Sequence, residues 1–399
     1  MNNDKEFKEF KELPEDWKFL KVKDLFVDGR GRIISEEEIK NNEGIYPVYS
    51  SQTSNNGELG KINTYDFEGE FITWTTDGAN AGTVFYRNGK FNCTNVCGIL
   101  KPRNENINVK FFSYLLSTIA KNYVSYIGNP KLMNYIFRNI KIVHPDSYFE
   151  QQKIAEILET VDNVIEKTDR IIEKYKRIKQ GLMQDLLTKG IDENSNIRSE
   201  ETHKFKDSPL GRIPEEWEVV RLGEICQIVY GERLSESEYF EYGESVVYGT
   251  TGVITKTNKF LGIGETIVLP RKGSINNKFY VKDSQKFFVI DTAFYLRFDS
   301  YKKKEFNAKY LFIYLQRIDF ELLNEATGVP SLNREVLRKI NIPLPSLPEQ
   351  HRIASILSQI DETIEKEQQY KEKLERIKQG LMEDLLTGKV RVKNIIEED

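Results

Sequence analysis

The chain repeats itself. Displacing the sequence by 199 positions lays Glu150 to Thr188 on Glu349 to Thr387 without a gap, with 23 of the 39 positions identical. Seven consecutive residues, Arg177 to Met183, recur unchanged as Arg376 to Met382. At a displacement of 200, Pro14 and Trp17 fall on Pro214 and Trp217, Tyr114-Leu115 on Tyr314-Leu315, Gly128 and Pro130 on Gly328 and Pro330, and Pro145 on Pro345. Internal similarity of this kind predicts two copies of one folding unit, each a variable globule followed by a near-invariant tail. The length of 399 residues suits two or three folding units at ~150 residues each.

The tail has the period of a long amphipathic helix. Ser147 with Glu150, and Ser346 with Glu349, have the S-x-x-E spacing of a capping box. Beyond it Ile154, Leu158, Val161, Ile165, Thr168, Ile172, Tyr175, Ile178, Leu182 and Leu186 recur at spacings of three and four. Ile353, Leu357, Ile360, Ile364, Leu374, Ile377, Leu381 and Leu385 keep that register, with Glu367 and Lys371 interrupting it. An ordinary core helix carries such a stripe too, but Glu150 to Leu187 would make a rod of roughly 57 Å, far longer than the mean globular helix. Each stripe needs an apolar partner, and the sister tract is the obvious one. Gly181 and Gly380 occupy the same place in both copies, where close helix approach, a subunit contact or a local kink would account for them.

Residues 13 to 146 and 213 to 345 alternate short β-like runs with turn signals, as in Phe71-Ile72-Thr73-Trp74 and Phe287-Phe288-Val289-Ile290. Lys110 to Leu116 and Ala308 to Arg317 read as helical, which makes each globule a mixed α/β (α+β) unit. The polar stretch Lys189 to Asp207 reads as a linker. The expected division is a first globule over 1–148, a helix over 149–190, a linker over 191–212, a second globule over 213–346, a helix over 347–390 and a tail over 391–399.

Composition narrows the function. Hydrophobic residues at 39% exclude a disordered chain, and a formal net charge of -4 means that any nucleic-acid binding must use local patches. Cys93, Cys97 and Cys226 are too few for a disulfide framework, so a reducing cytoplasmic setting is expected. Met1 to Glu12 is charged, and the longest nearly uncharged run, Phe111 to Ala120, falls short of the ~20 residues of a membrane span. Gly60-Lys61, Gly89-Lys90 and Gly388-Lys389 are not followed by Ser or Thr, which argues against a P-loop. The Asn- or Asp-Pro-Pro-aromatic segment of amino-methyltransferases is missing, and His144, His203 and His351 lack partners at metal-ligand spacing. Pro145-Asp146 is followed by Glu150-x-x-Lys153, not by the E-x-K of a nuclease. Catalysis and metal binding are not expected within this chain.

The globule loops carry the polar chemistry. Ser50 to Asn56 and Thr75 to Asn80 in the first globule have counterparts at Gly249-Thr250-Thr251 and Pro270 to Lys278 in the second. Such Ser, Thr, Asn, Gln, Arg and Lys side chains reach phosphates and base edges, although the same residues also build turns.

Three features together resemble a known family: the tandem halves, the segment Phe205-Lys206-Asp207-Ser208-Pro209-Leu210-Gly211-Arg212-Ile213-Pro214-Glu215-Glu216-Trp217, and Pro345-x-x-Pro348-Glu349-Gln350 leading into a long helix. Leu13-Pro14-Glu15-Asp16-Trp17, Glu150-Gln151 and Gly181-Leu182-Met183-x-Asp185-Leu186-Leu187 extend the likeness over essentially the whole chain. The chain looks like the specificity subunit of a type I restriction-modification system. The first globule departs from the pattern by ending in Pro145-Asp146-Ser147-Tyr148-Phe149-Glu150, with one extra residue and no second proline.

The resemblance implies two target recognition domains held apart by two helices packed as an antiparallel coiled coil, in a pseudo-two-fold repeat. It implies double-stranded DNA as ligand, with two adenine-methyltransferase (modification) subunits and two motor-endonuclease (restriction) subunits as partners. Adenosylmethionine, ATP and magnesium are then expected on those partners and no cofactor on this chain. The expected phosphate contacts are Arg30, Arg32, Lys61, Arg87, Arg233, Lys256, Arg271, Lys272 and Lys278. The expected base readers are Ser51, Gln52, Thr76, Asn80, Thr250, Thr251, Ser274 and Asn276. Two other readings compete: a coiled-coil scaffold whose globules bind proteins, and a stand-alone bipartite DNA-binding protein.

Overall fold

A computed structural model describes residues 16–298 and 306–392. Leu13, Pro14, Glu15 and the tail beyond Val392 lie outside the described residues. Contacts divide the chain into two compact units, residues 1–169 with 369–399 and residues 170–368. The first long helix, Tyr148–Leu186, starts in the first unit and ends in the second, and the second long helix, Leu347–Leu386, does the reverse. Each unit takes its own globule, the start of its own helix and the end of the other.

In the first unit the strands are β1 (Trp17–Lys21), β2 (Phe26–Arg30), β3 (Glu43–Tyr49), β4 (Glu58–Ile62), β5 (Phe67–Thr75), β6 (Val84–Cys93), β7 (Cys97–Pro102) and β8 (Lys141–Pro145). Strands β1 and β8 form an antiparallel pair, and the others form one sheet ordered β2-β7-β5-β6-β3-β4. The apolar face of this sheet meets the helix Val109–Ile119, whose Phe111, Phe112 and Leu116 are fully buried. Trp74 stacks on Phe137 with ring centroids 4.2 Å apart. Ile154, Leu158, Leu385 and Leu386 from the two long helices enter the same core.

In the second unit the strands are β9 (Phe205–Ser208), β10 (Gly211–Pro214), β11 (Glu218–Arg221), β12 (Gln227–Tyr230), β13 (Ser245–Gly249), β14 (Gly252–Thr257), β15 (Gly262–Ile263), β16 (Thr266–Pro270), β17 (Phe279–Val281), β18 (Lys286–Val289), β19 (Ala293–Arg297) and β20 (Asn341–Leu344). Its sheet is split into β12-β19-β16-β17 and β14-β13-β18-β15. Where the first unit has the continuous β6, the second has β17 and β18, separated at a turn where Ser284 adopts φ 66°. The helix Ala308–Gln316, together with Ile353, Leu357, Leu186 and Leu187, completes the core.

The long helices pair antiparallel. In the first unit Lys378 meets Asp162 at 2.6 Å and Lys371 meets Asp169 at 2.8 Å, so seven residues forward on one helix match seven back on the other. Ile172 and Leu374 are buried, while Val161, Ile165, Tyr175, Leu182, Ile360, Ile364 and Leu381 are half-buried. Ile178 and Ile377 correct the expected stripe, being 39% and 44% exposed. A Cβ added at Gly181 or Gly380 would meet nothing within 4 Å, so close approach inside this chain does not explain those glycines.

The capping-box reading also needs correction. The Glu150 N–H donates to Ser147 Oγ at 3.4 Å, but the Glu150 carboxylate holds Arg391 at 2.7 and 2.8 Å instead of reaching back. Glu349 in the second unit accepts from the Arg198 guanidinium, from Trp217 Nε1 at 3.2 Å and from the Ile191 N–H at 2.9 Å. Arg198 and Ile191 are buried, so part of the expected linker belongs to the packed interior. Gly190 is required there. Its φ is 64°, and a Cβ would stand 2.2 Å from the Glu349 carboxylate.

The residue after each glutamate has its own task. Gln151 donates to the Pro145 carbonyl at 2.9 Å and accepts from the Asn108 N–H at 3.0 Å, where Asn108 caps the globule helix. Gln350 does the same with Pro345 and Asn307, both at 2.8 Å. The Glu-Gln pair thus ties each globule to a long helix, and the extra residue before Tyr148 leaves this arrangement intact.

Candidate nucleic-acid interface

Four loops of the first globule are joined by hydrogen bonds. The Thr94 N–H donates to the Tyr49 carbonyl at 2.8 Å, linking the loops after β6 and β3. Thr76 donates through its N–H (3.1 Å) and its hydroxyl (2.9 Å) to the Val96 carbonyl, and Ser51 Oγ donates to that same carbonyl. Asn80 Nδ2 donates to Thr53 Oγ1 at 3.1 Å. A fourth loop, Ser125 to Lys131, joins by bonds from the Gly78 N–H to the Pro130 carbonyl (3.0 Å) and from the Leu132 N–H to the Thr76 carbonyl (2.9 Å).

The second globule repeats this skeleton with other side chains. The Gly273 N–H donates to the Pro330 carbonyl and the Leu332 N–H to the Arg271 carbonyl, both at 2.9 Å. Asn277 Nδ2 donates to the Thr250 carbonyl at 3.1 Å, and Arg271 to the Asp291 carbonyl at 2.7 Å. Thr76-Asp77-Gly78 therefore occupies the place of Arg271-Lys272-Gly273. One backbone arrangement presents two chemistries.

Several expected contact residues prove to be supports. Arg87 is 3% exposed. Its guanidinium lies 3.5 Å from the Tyr49 ring centroid and donates to Thr73 Oγ1 at 3.1 Å and to the Asn56 carbonyl at 2.8 Å. Burial pushes its pKa down. It holds a turn in which Asn55 and Asn56 take φ values of 48° and 52°, a left-handed region that asparagine tolerates. Thr76 is fully buried, and its hydroxyl is engaged by Val96 and Asp77. Lys278 is buried over the Phe320 ring and donates to the Ile318 carbonyl at 2.8 Å and to Asn276 Oδ1 at 3.0 Å. Desolvation pulls its pKa down to about 8. Asn276 Oδ1 also accepts from the Phe320 N–H at 3.0 Å, so this exposed residue is committed to the fold by its acceptor. These placements withdraw Arg87 and Lys278 from the phosphate contacts and Thr76 from the base readers.

Other expected residues face solvent. Arg30, Arg233, Lys256, Lys272, Thr251, Ser274 and Asn80 are exposed, while Ser51, Gln52, Thr250 and Arg271 are half-buried. Gln52 donates back to the Glu58 carbonyl. Lys61 is exposed and lies 3.9 Å from Glu58. Arg32 is exposed but bound by Glu38 at 2.6 Å and Asp66 at 3.1 Å. The Glu38 bond, helped by Asp66, raises its pKa above the ordinary value.

The sequence reading missed the fourth loop and its neighbours. Asn134 accepts from Arg30 Nε at 2.9 Å and donates to the Gly29 carbonyl at 2.8 Å. At the matching places in the second globule, Arg334 lies 5.1 Å from the Tyr230 ring, and Arg271 lies at the same distance. A guanidinium is thus kept at this place in both globules, supplied from different segments of the sequence. The Gly-x-Pro at 128–130 and 328–330 was the available signal.

Among the described residues, no helix is long and apolar enough to cross a membrane. A profile of the type I restriction modification DNA specificity domain matches residues 14–177 and 214–376. The chain is 34% identical over 348 residues to a putative type I specificity subunit of Mycoplasma pneumoniae, covering 84% of this chain and 87% of that protein. It is 30% identical over 426 residues to a type I restriction enzyme specificity subunit of Methanocaldococcus jannaschii, covering 96% and 95%. The crystal structure of a type I restriction-modification S subunit from M. genitalium has a similar fold, with TM-score 0.70, 18% identity and coverage of 94% and 97%.

Proposed function

The chain belongs to the type I restriction-modification DNA specificity family, and from that premise we propose that each globular half reads one half of a bipartite, asymmetric DNA target. The carrying observation is the pair of four-loop clusters, which share the backbone bonds that join the loop after β5 (β16 in the second globule) to the fourth loop and differ in side chains. Equal frames present loops to DNA in the same way, and unequal side chains select different bases. Arg30, Arg233, Lys256, Arg271 and Lys272 are the cations we assign to phosphates, and Ser51, Gln52, Asn80, Thr250, Thr251 and Ser274 the groups we assign to base edges.

The long helices set the spacer between the half-sites. Their 39 and 40 residues correspond to roughly 58 to 60 Å of helix at about 1.5 Å per residue. The identical stretches Arg177–Met183 and Arg376–Met382 each leave an isoleucine and a glycine open to solvent. Two equal exposed patches suit two copies of one partner, which we take to be the adenine-methyltransferase subunit. Two restriction subunits complete the complex. Adenosylmethionine, ATP and magnesium belong to those partners, and this chain contributes recognition without catalysis.

The test is to co-express the chain with an adenine-methyltransferase subunit of its system and to map modified adenines across a plasmid. Methylation confined to one split motif is the expected result. A folded complex that binds adenosylmethionine yet leaves no motif would overturn the reading.

A further inference from the structure

The loop from Ser125 to Lys131 is a small closed hairpin. The Ser125 N–H donates to the Lys131 carbonyl at 2.8 Å and the Lys131 N–H returns to Ser125 at 2.9 Å. Gly128 turns the tip with φ 74°, a conformation that a side chain would strain. Its two apolar tip residues are almost bare: Tyr126 is 70% and Ile127 94% exposed. Among the described residues of the first unit, neither belongs to a hydrophobic core cluster. The hairpin is nonetheless fixed. Its far strand is bonded to Thr76 and Gly78, Lys131 lies 3.5 Å from Asp77, and Trp74 Nε1 anchors the Leu132 carbonyl at 3.0 Å from within the core.

A rigid hairpin with an uncovered apolar tip beside exposed cations and amides has the composition of a DNA-contacting finger. Apolar side chains meet thymine methyl groups or press between base steps, and they do so without engaging phosphates. The second globule builds the same element by another route. There Asn324 Oδ1 accepts from the N–H groups of Ala326 and Ser331, both at 3.1 Å, and Val329 stands 70% exposed.

We propose that the Ser125–Lys131 hairpin is a further DNA-reading element of the first globule, with Tyr126 and Ile127 making apolar contact with bases of its half-site. The inference rests on the DNA-reading function proposed above and adds to it residues that polar reasoning does not reach. Arg30, held by Asn134 at 2.9 Å beyond the end of the hairpin, supplies the neighbouring phosphate contact.

The test compares the wild-type complex with one carrying Tyr126→Ser and Ile127→Ser, on a duplex containing the split motif that the wild type methylates. Affinity is expected to fall about tenfold, as for loss of one base-pair contact, with the slope of log affinity against log salt unchanged because no phosphate contact is lost. A complex carrying only Ile127→Leu should stay near wild-type affinity. Double-variant affinity within twofold of wild type, or an affinity loss accompanied by a flatter salt slope, would overturn the inference while leaving the proposed function standing. A wild-type complex without any split motif would remove both.

Discussion

Lys378 on the second long helix meets Asp162 on the first at 2.6 Å, and Lys179 meets Asp361 at 2.5 Å in the other unit. The two pairs are one interaction with the helices exchanged, since a displacement of 199 turns Asp162 into Asp361 and Lys179 into Lys378. The repeat in sequence is thus a repeat in contact, and it exists only because the helices run antiparallel.

Both pairs are partly exposed, so each should contribute about 0.5 to 1 kcal/mol, weakened by salt. A double-mutant cycle on Lys378→Ala and Asp162→Ala, read by urea unfolding, should return a coupling in that range. The Lys179 and Asp361 cycle should return a similar one.

The glutamates that open the helices matter more. Glu349 is 3% exposed and holds three donors, whereas Glu150 holds the half-buried Arg391. Glu349→Ala removes the buried carboxylate from the buried Arg198, leaving it only the exposed Glu216 and the Lys189 carbonyl, both at 3.5 Å, and should cost about 3 kcal/mol in denaturant unfolding. Glu150→Ala should cost less, about 2 kcal/mol, because water can reach Arg391.

Arg87 and Arg30 separate support from contact. Arg30→Ala should weaken binding to all DNA sequences and flatten the salt slope by about one unit. Arg87→Met should leave that slope unchanged and relax base preference in the first half-site only, because it frees the Asn55-Asn56 turn. Equal salt slopes for the two variants would contradict this division.

Lys278 gives a pH signature. Its folded pKa is about 8 and its ordinary value 10.5. Between those values the unfolded chain binds more protons than the folded one, so this lysine makes stability rise with pH from 8 towards 10.5. Below pH 8 both states are protonated and the cost of burying the charge is constant. The stability difference between wild type and Lys278→Met should therefore shift in favour of the wild type across that window and stay flat from pH 6 to 7.5.

Much of the architecture was legible in the chain because the helix stripe and the strand runs are local signals. Trp74, Leu158 and Leu357 lie in cores where their periodicity put them. Ile178 and Ile377 show the limit: they keep the spacing of the buried stripe and yet face solvent, and spacing does not distinguish the two cases. Glu150 and Glu349 occupy the place of a capping residue, yet their carboxylates go to arginines 241 and 151 positions away, which no local pattern can reveal. At the site, residue type was an unreliable guide. Arg87 and Lys278 are basic residues near loops, but depth decides their role, and depth depends on Tyr49, Thr73 and Phe320 folding around them. The exposed Tyr126 and Ile127 are silent in the sequence because an apolar pair in a turn carries no polar signal.

The ruler role of the helices is tested by inserting four residues into each long helix at equivalent places. Each rod would lengthen by roughly 6 Å, and the methylated motif should gain spacer base pairs with both half-sites unchanged. An unaltered spacer would contradict the role.

The central claim is that each globule reads its own half-site, and exchanging one globule tests it most directly. Residues 213–346 would be replaced by the corresponding globule of a relative with a different target, and modified adenines would be mapped with the same methyltransferase partner. The account predicts a motif changed in one half and retained in the other, with the spacer kept. Simultaneous change of both halves, or no change in either, would contradict it.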